Sequence, residues 1–214
     1  MPTDLTPTHL LTLMQWLSPG FPIGAFSYSH GLETFVVQGR IKDADDLAYW
    51  LDTVLRQGAG RNDCILLAEG WRGNAGAADA MARALAPSAE RLHETADQGA
   101  AFCDTANAVW SLDLPELTLP VAVGAAARAM GLPLAATAQA YLHAFAAALT
   151  SAAQRAMPLG QVAAQRVLAA TSGTCLAIAK DATNCTLDDL GSASFASDIA
   201  SMQHENLYSR MFRS

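Results

Sequence analysis

Two dipeptides, His93-Glu94 and His204-Glu205, set an imidazole beside a carboxylate, as the zinc-binding helix of a metallohydrolase does at its start. That chemistry needs a second His three residues beyond the Glu, to hold the metal while the Glu activates water. Asp97 and Tyr208 occupy those positions, so both matches fail. Ser27 or Ser29 next to His30 could supply a nucleophile and a base. Neighbouring residues point apart on a helix, however, and no G-x-S-x-G elbow frames either serine. Neither Lys42 nor Lys180 has a Ser three residues before it, and no GxxxxGK[ST] phosphate loop is present. The histidines His9, His30, His93, His143 and His204 lack i, i+4 pairing. Cys64, Cys103, Cys175 and Cys185 form no CxxC pair and read as the reduced thiols of a cytosolic protein. The expectation is a protein without a catalytic constellation, a tight metal site or a cofactor.

Composition points to a chain that either buries an unusual share of itself or meets partners. The chain has 214 residues, 51% hydrophobic and only 15% charged, enough for one domain with a sizeable core. Its 13 basic and 20 acidic residues leave a net charge of -7, and no basic run offers a phosphate-binding surface, so nucleic acid is not an expected partner. No Lys or Arg precedes Arg40, so the charged start of a secretory signal is lacking and a cytoplasmic location is expected. The 26 residues between Arg128 and Arg155 carry no formal charge. They are Ala-rich and interrupted by Pro133, Gln139, His143 and Gln154, so they read as a buried helix and not as a membrane span.

Helical periodicity runs through most of the chain, and no alternating strand pattern or hairpin turn occurs. Leu47, Trp50, Leu51, Val54 and Leu55 form one apolar stripe, with Asp43 placed to cap it. Thr8 is placed to cap a helix through Trp16, and Asn62 or Asp63 to open one that ends near Gly73. Ser88 caps a long helix with Leu92, Ala96, Gly99, Cys103, Ala106 and Trp110 on one face. A further helix runs from Leu119 to Met130 and stops at Gly131, and Pro133 and Pro158 suit the first turns of the next two. Between Pro120 and Ala170, 20 of 51 residues are Ala, which allows close helix packing and offers faces for a homodimer. The fold class expected is all-α, a single-domain bundle of about eight to ten helices spanning residues 1–214.

Residues 18–33 stand apart. They read Ser18-Pro19-Gly20-Phe21-Pro22-Ile23-Gly24-Ala25-Phe26-Ser27-Tyr28-Ser29-His30-Gly31-Leu32-Glu33, an elbow shaped by Pro19, Pro22, Gly24 and Gly31 and feeding a helix from Glu33 to Gln38. This segment resembles the characteristic pattern of the urease accessory protein family UreF: Ser-Pro, Pro-Val/Ile-Gly, an aromatic, a hydroxyl pair, then Gly-Leu-Glu. Pro120-Val121-Ala122-Val123-Gly124, and Ser151-Ala152-Ala153-Gln154-Arg155 followed by Pro158-Leu159-Gly160-Gln161, are similar to later stretches of that family. So is the terminal His204-Glu205-Asn206-Leu207-Tyr208-Ser209-Arg210-Met211-Phe212-Arg213-Ser214, although Asn206 and Leu207 replace the family's usual Thr and Gln.

The resemblance implies an all-helical, non-catalytic scaffold that binds UreD (also called UreH) and the GTPase UreG. It implies docking on apo-urease, promotion of nickel insertion and modulation of the GTPase, with a homodimer as the resting form. Under it, Glu33 and Arg155 become candidates for the GTPase contact. The alternative is a metallochaperone that binds nickel directly. Residues 201–214 are expected to form a partner-binding tail through His204, Leu207, Tyr208, Arg210, Met211, Phe212 and Arg213. In a helix Leu207, Tyr208, Met211 and Phe212 would share one face; so short a helix would either dock back on its own core or order on a partner, and the resemblance favours the partner, UreD.

Overall fold

In the computed structural model, which describes residues 4–214, the described residues form ten α-helices, two single-turn 3-10 helices and no strand. The helices are α1 (Pro7–Trp16), α2 (Leu32–Val37), α3 (Ala44–Gln57), α4 (Ala59–Arg72), α5 (Ala75–Ala84), α6 (Ala89–Trp110), α7 (Leu119–Ala129), α8 (Leu134–Ala156), α9 (Gln161–Ala182) and α10 (Phe195–His204). The expected all-α bundle is what the chain adopts.

Local chemistry explains most boundaries. The Asp43 carboxylate accepts the backbone N–H groups of Asp45 and Asp46 at 3.0 Å and starts α3, and the Ser88 hydroxyl accepts Arg91 N–H and starts α6. Two expected starts differ. Thr6, not Thr8, caps α1, through a reciprocal pair in which His9 returns a bond to the Thr6 N–H. Helix α4 begins at Ala59, ahead of Asn62 and Asp63, because Gly58 alone joins it to α3 and Gly60 lies against the Leu55 backbone. Pro133 is the cap of α8 and not its first turn, and Pro158 lies in an extended link ahead of Gly160, the cap of α9.

The centre of the bundle is the α4–α7 pair, whose backbones cross in near contact. A Cβ on Gly124 would lie 2.1 Å from the Leu67 carbonyl oxygen, and one on Gly70 2.6 Å from that of Val121. Only glycine permits that approach, so the small-residue bias of α7 is a packing requirement. Ala122, Ala126 and Ala127 of α7, with Ala138, Ala146, Ala152 and Ala153 of α8, are likewise fully buried within the fold. Helix α8 covers most of the uncharged stretch and buries Tyr141, Leu142 and Leu149. By length and composition α9 is the one described helix long and apolar enough to cross a membrane. Its inner face, Val167, Cys175, Ile178 and Ala179, packs into the core instead. The elbow folds over this core through Phe21, which lies 5.4 Å from Phe102, itself edge-on to Trp16 at 5.4 Å.

Helix α6 differs from the expected face. Gly99, Cys103 and Ala106 point inward, but its first half also buries Arg91, Glu94 and Gln98. The reason is what lies above it. Helix α10 ends at His204, and residues 205–214 continue as an irregular strap that returns to the bundle and buries Phe212 and Ser214. The terminal segment is therefore ordered on its own core and is not helical beyond His204. The one-face arrangement of Leu207, Tyr208, Met211 and Phe212 does not form: Phe212 is buried, Leu207 half-buried, and Tyr208 and Met211 exposed.

Candidate functional site: a clasped C-terminal strap

The elbow prepares the seat of the strap. Gly24 and Gly31 lie at φ of 71° and 77°, a left-handed conformation that costs L-residues with a Cβ about 1 kcal/mol or more. Gly31 has a second constraint, since a Cβ there would stand 2.9 Å from the Ser201 backbone nitrogen of α10. His30 between them is also left-handed, at φ 60°. The outcome is that Ser29 and Glu33 face the same groove between α2, α6 and α10.

Glu33 is the hub. Its carboxylate accepts the backbone N–H of Met211 at 2.7 Å and of Phe212 at 3.1 Å, and its Oε2 lies 3.0 Å from His204 Nε2. The other His204 nitrogen, Nδ1, is 2.7 Å from Glu90 of α6, which also accepts Arg210 of the strap at 2.6 Å. Further along, Arg213 N–H donates to the Ser27 carbonyl at 2.8 Å, and Ser29 donates through both its N–H and its hydroxyl to the Ser214 carbonyl. The Ser214 hydroxyl donates to Glu94. Arg155 of α8 stacks over the Phe212 ring at 4.5 Å and donates to the Phe26 carbonyl at 2.6 Å, tying elbow, strap and α8 together. Partial burial lowers the Arg155 pKa without removing its charge.

Beneath the strap the electrostatics are strongly biased. Burial alone would raise Glu94, but the Arg91 guanidinium against it, with the His30 imidazole nearby, holds it down at about 2. Burial and Arg91 push His30 below its ordinary value, and its Nδ1 has no hydrogen-bond partner, the nearest carboxylate oxygen of Glu94 being 3.9 Å away. A pocket of about 100 Å³ opens beside this group, lined by His30, Asp63, Arg91, Thr95 and Asp198 among others. Burial raises Asp63 to about 6 while Tyr141 donates to it at 2.7 Å. Among the described residues no three His, Cys, Asp or Glu side chains group in a metal-holding arrangement. The Ser29 hydroxyl is taken up by the Ser214 carbonyl, and the Ser27 carbonyl accepts the strap's Arg213 N–H.

The candidate residues from the sequence thus divide in two. Glu33, His204 and Phe212 are buried at 8%, 0% and 4% exposure, so they hold the strap from beneath and are not free to touch a partner directly. Tyr208 and Met211 face outward, as do the exposed side chains of Arg210 and Arg213. On α10, Phe195, Ile199 and Met202 are exposed too, at the i, i+4, i+7 spacing of one helix face. Pro19 and Pro22 shape the elbow from outside the clasp. Glu90 and Glu94 escape a reading of the sequence, because an i, i+4 acidic pair after a Ser cap looks like an ordinary solvated first turn.

Fold and site together define an all-α bundle whose buried carboxylates hold a terminal strap and display its apolar and basic side chains. The family model for UreF matches residues 41–172. The chain is 50% identical over 206 residues to the urease accessory protein UreF of Roseobacter denitrificans, covering 95% of this chain and 93% of that protein. It is 51% identical over 205 residues to that of Cereibacter sphaeroides, covering 95% and 98%, and 44% identical over 221 residues to that of Bradyrhizobium diazoefficiens, covering 96% and 91%. The chain belongs to the UreF family of urease accessory proteins.

Proposed function

We propose that the chain is a non-catalytic cytoplasmic scaffold of urease maturation that binds UreD (UreH) and the GTPase UreG, docks with them on apo-urease and promotes nickel insertion. On this reading it modulates the GTPase and rests as a homodimer. The observation that carries the reading is the strap: a segment without secondary structure, pinned by buried carboxylates, that holds Tyr208 and Met211 fully or largely in solvent at 107% and 60% exposure. Large apolar side chains fixed outward on a rigid support are what a docking surface requires, since little ordering entropy remains to be lost on binding. Arg210 and Arg213 add positive charge to an otherwise acidic protein and favour an acidic partner face. The outward side of α9, with Val162 and Leu176 exposed, is the surface for self-association.

The test is co-purification with UreD and UreG, followed by urease activation with and without this chain. The clasp holds Met211 only by its backbone N–H, and the Tyr208 and Met211 side chains are exposed, so Tyr208→Asp and Met211→Asp should leave the fold intact, abolish capture of UreD and lower urease activation. Unimpaired capture by the double variant would overturn the assignment of the strap as the docking surface.

A further inference from the structure

The pocket beside His30 is separate from the grip on the strap: Ser29, Glu33, Glu90, Glu94 and Arg155 all lie outside its lining. It opens between α4, the start of α6 and the segment that leads into α10. Its volume of about 100 Å³ has room for a ligand of several non-hydrogen atoms, since a single water needs about 10–15 Å³ of such space. Leu66 and Leu85 give it apolar walls, and His30, Asp63, Arg91 and Asp198 supply the polar groups. Apolar walls with a few polar side chains are the usual make-up of a small-molecule site.

The ligand that fits follows from which charges are already matched. Arg91 is paired with Glu94, so its positive charge is balanced within the fold. Burial and Arg91 push His30 below its ordinary value, which leaves a neutral ring at neutral pH. Its Nδ1 is a buried polar atom without a hydrogen-bond partner. Asp63 accepts the Tyr141 hydroxyl at 2.7 Å on one oxygen, and Asp198 accepts the Ser192 hydroxyl at 2.9 Å on one oxygen. Each carboxylate keeps a second oxygen, and the two belong to different elements, α4 and α10. An anion would meet both of them. A single metal ion is poorly served, because among the described residues no three His, Cys, Asp or Glu side chains converge on one point. A positive group with several N–H donors on an aliphatic chain matches both the carboxylates and the walls. We propose that this pocket binds a primary alkylammonium group, its N–H donors on Asp63 and Asp198 and its chain against Leu66 and Leu85. The position of Asp63 agrees: burial holds its carboxyl up at about 6 even with Arg91 nearby, as expected where a carboxylate has room for a further cation. The site stands whichever partner the strap meets.

The experiment is a titration of the full chain at pH 8, where Asp63 is ionised, followed by nitrogen-15 NMR of the Asp63, Leu85 and Asp198 amides and by melting. The probes are methylammonium, n-butylammonium and lysine blocked at both its amino and carboxyl termini. Sodium and tetramethylammonium at equal ionic strength are the controls, the second being a cation without an N–H. Expected are saturable shifts at those amides with butylammonium, tighter binding of butylammonium than of methylammonium, and no saturation with either control. At ten times Kd the melting midpoint should rise by about 3–6 °C. Blocked lysine binding as well as butylammonium assigns the site to the headgroup that a partner's lysine carries, and binding of butylammonium alone assigns it to a free amine. Asp63→Asn and Asp198→Asn should each weaken binding about tenfold or more, the weight of one hydrogen bond to a charged group. Asp63→Asn relieves a buried charge and keeps the Tyr141 contact, so its loss of binding is not a loss of fold. No saturable shift with any amine, an equal response to tetramethylammonium, or unchanged affinity in both variants would overturn the proposal. If one variant fails to fold, the other and the probe series still decide.

Discussion

Replacing Glu33 by Ala removes the acceptor that α10 shares with the backbone amides of the strap. Three donors lose their partner: the Met211 and Phe212 amides and His204 Nε2. Bonds to a charged group are worth about 1.5–3 kcal/mol each, so a naive sum reaches about 4.5–9 kcal/mol. The strap sets a lower ceiling, because once it lifts off, its amides are rehydrated and the cost stops growing. Its own closure is modest. Burying Phe212 contributes about 1.5–3 kcal/mol, and the buried hydrogen bonds add to it, while ordering each residue costs about 1–2 kcal/mol. The expected cost of Glu33→Ala is therefore about 3 kcal/mol, which in a chain of this size lowers the melting midpoint by about 6–12 °C. Calorimetry and urea unfolding of four proteins test the reasoning: wild type, Glu33→Ala, the chain lacking 205–214, and the combination. In the shortened chain Glu33 retains only His204, so the same substitution should cost about 1.5 kcal/mol, one such bond, and truncation itself should lower the midpoint. A Glu33→Ala cost below about 1 kcal/mol, or an equal cost in both backgrounds, would refute the view that Glu33 clasps the strap.

Three further outcomes follow from particular geometries. Gly31→Ala should destabilise more than Gly24→Ala by urea unfolding: both positions are left-handed, but only at Gly31 would a Cβ meet backbone, at 2.9 Å, whereas nothing lies within 4 Å of one at Gly24. Gly124→Ala should cost at least about 3 kcal/mol or prevent folding, measured by circular dichroism and solubility, because α4 and α7 would have to separate. Asp63→Asn should stabilise the protein at pH 8 and be neutral near pH 4. Burial holds the Asp63 carboxyl up at about 6 against its ordinary value of 3.8, so the folded state favours the proton. The penalty for ionising it is absent below the unfolded value and complete above about 6. At about 1.4 kcal/mol per pH unit this displacement is worth about 3 kcal/mol, and the Asn carbonyl can still accept the Tyr141 hydroxyl.

Much of the architecture is written locally. The stripe from Leu47 to Leu55, the Asp43 and Ser88 caps, and the glycine stops at Gly39, Gly73 and Gly131 need only neighbours a few residues away. Periodicity and capping act within one or two turns, so the sequence alone specifies the helices and, through the elbow and terminal motifs, the family. The starts of α1 and α4 were less legible. At α1 two hydroxyls compete, and the choice of Thr6 depends on the His9 side chain folding back. At α4 the corner at Gly58 and Gly60 is permitted by packing against Leu55.

The fate of the last ten residues was decided only by the tertiary structure. Alone, they form too short a segment to hold a helix, and their apolar spacing suits a helical face as well as a strap. What fixes them is a set of groups distant in sequence: Ser29 and Glu33 from the elbow, Glu90 and Glu94 from α6, and Arg155 from α8. A carboxylate declares in the sequence that it can accept hydrogen bonds, but not from whom. Glu33 and Glu90 become a clasp because the Gly31 contact with Ser201 brings α10 against α2. His204 then lies between the two carboxylates, and the backbone amides that follow it are left within reach of Glu33.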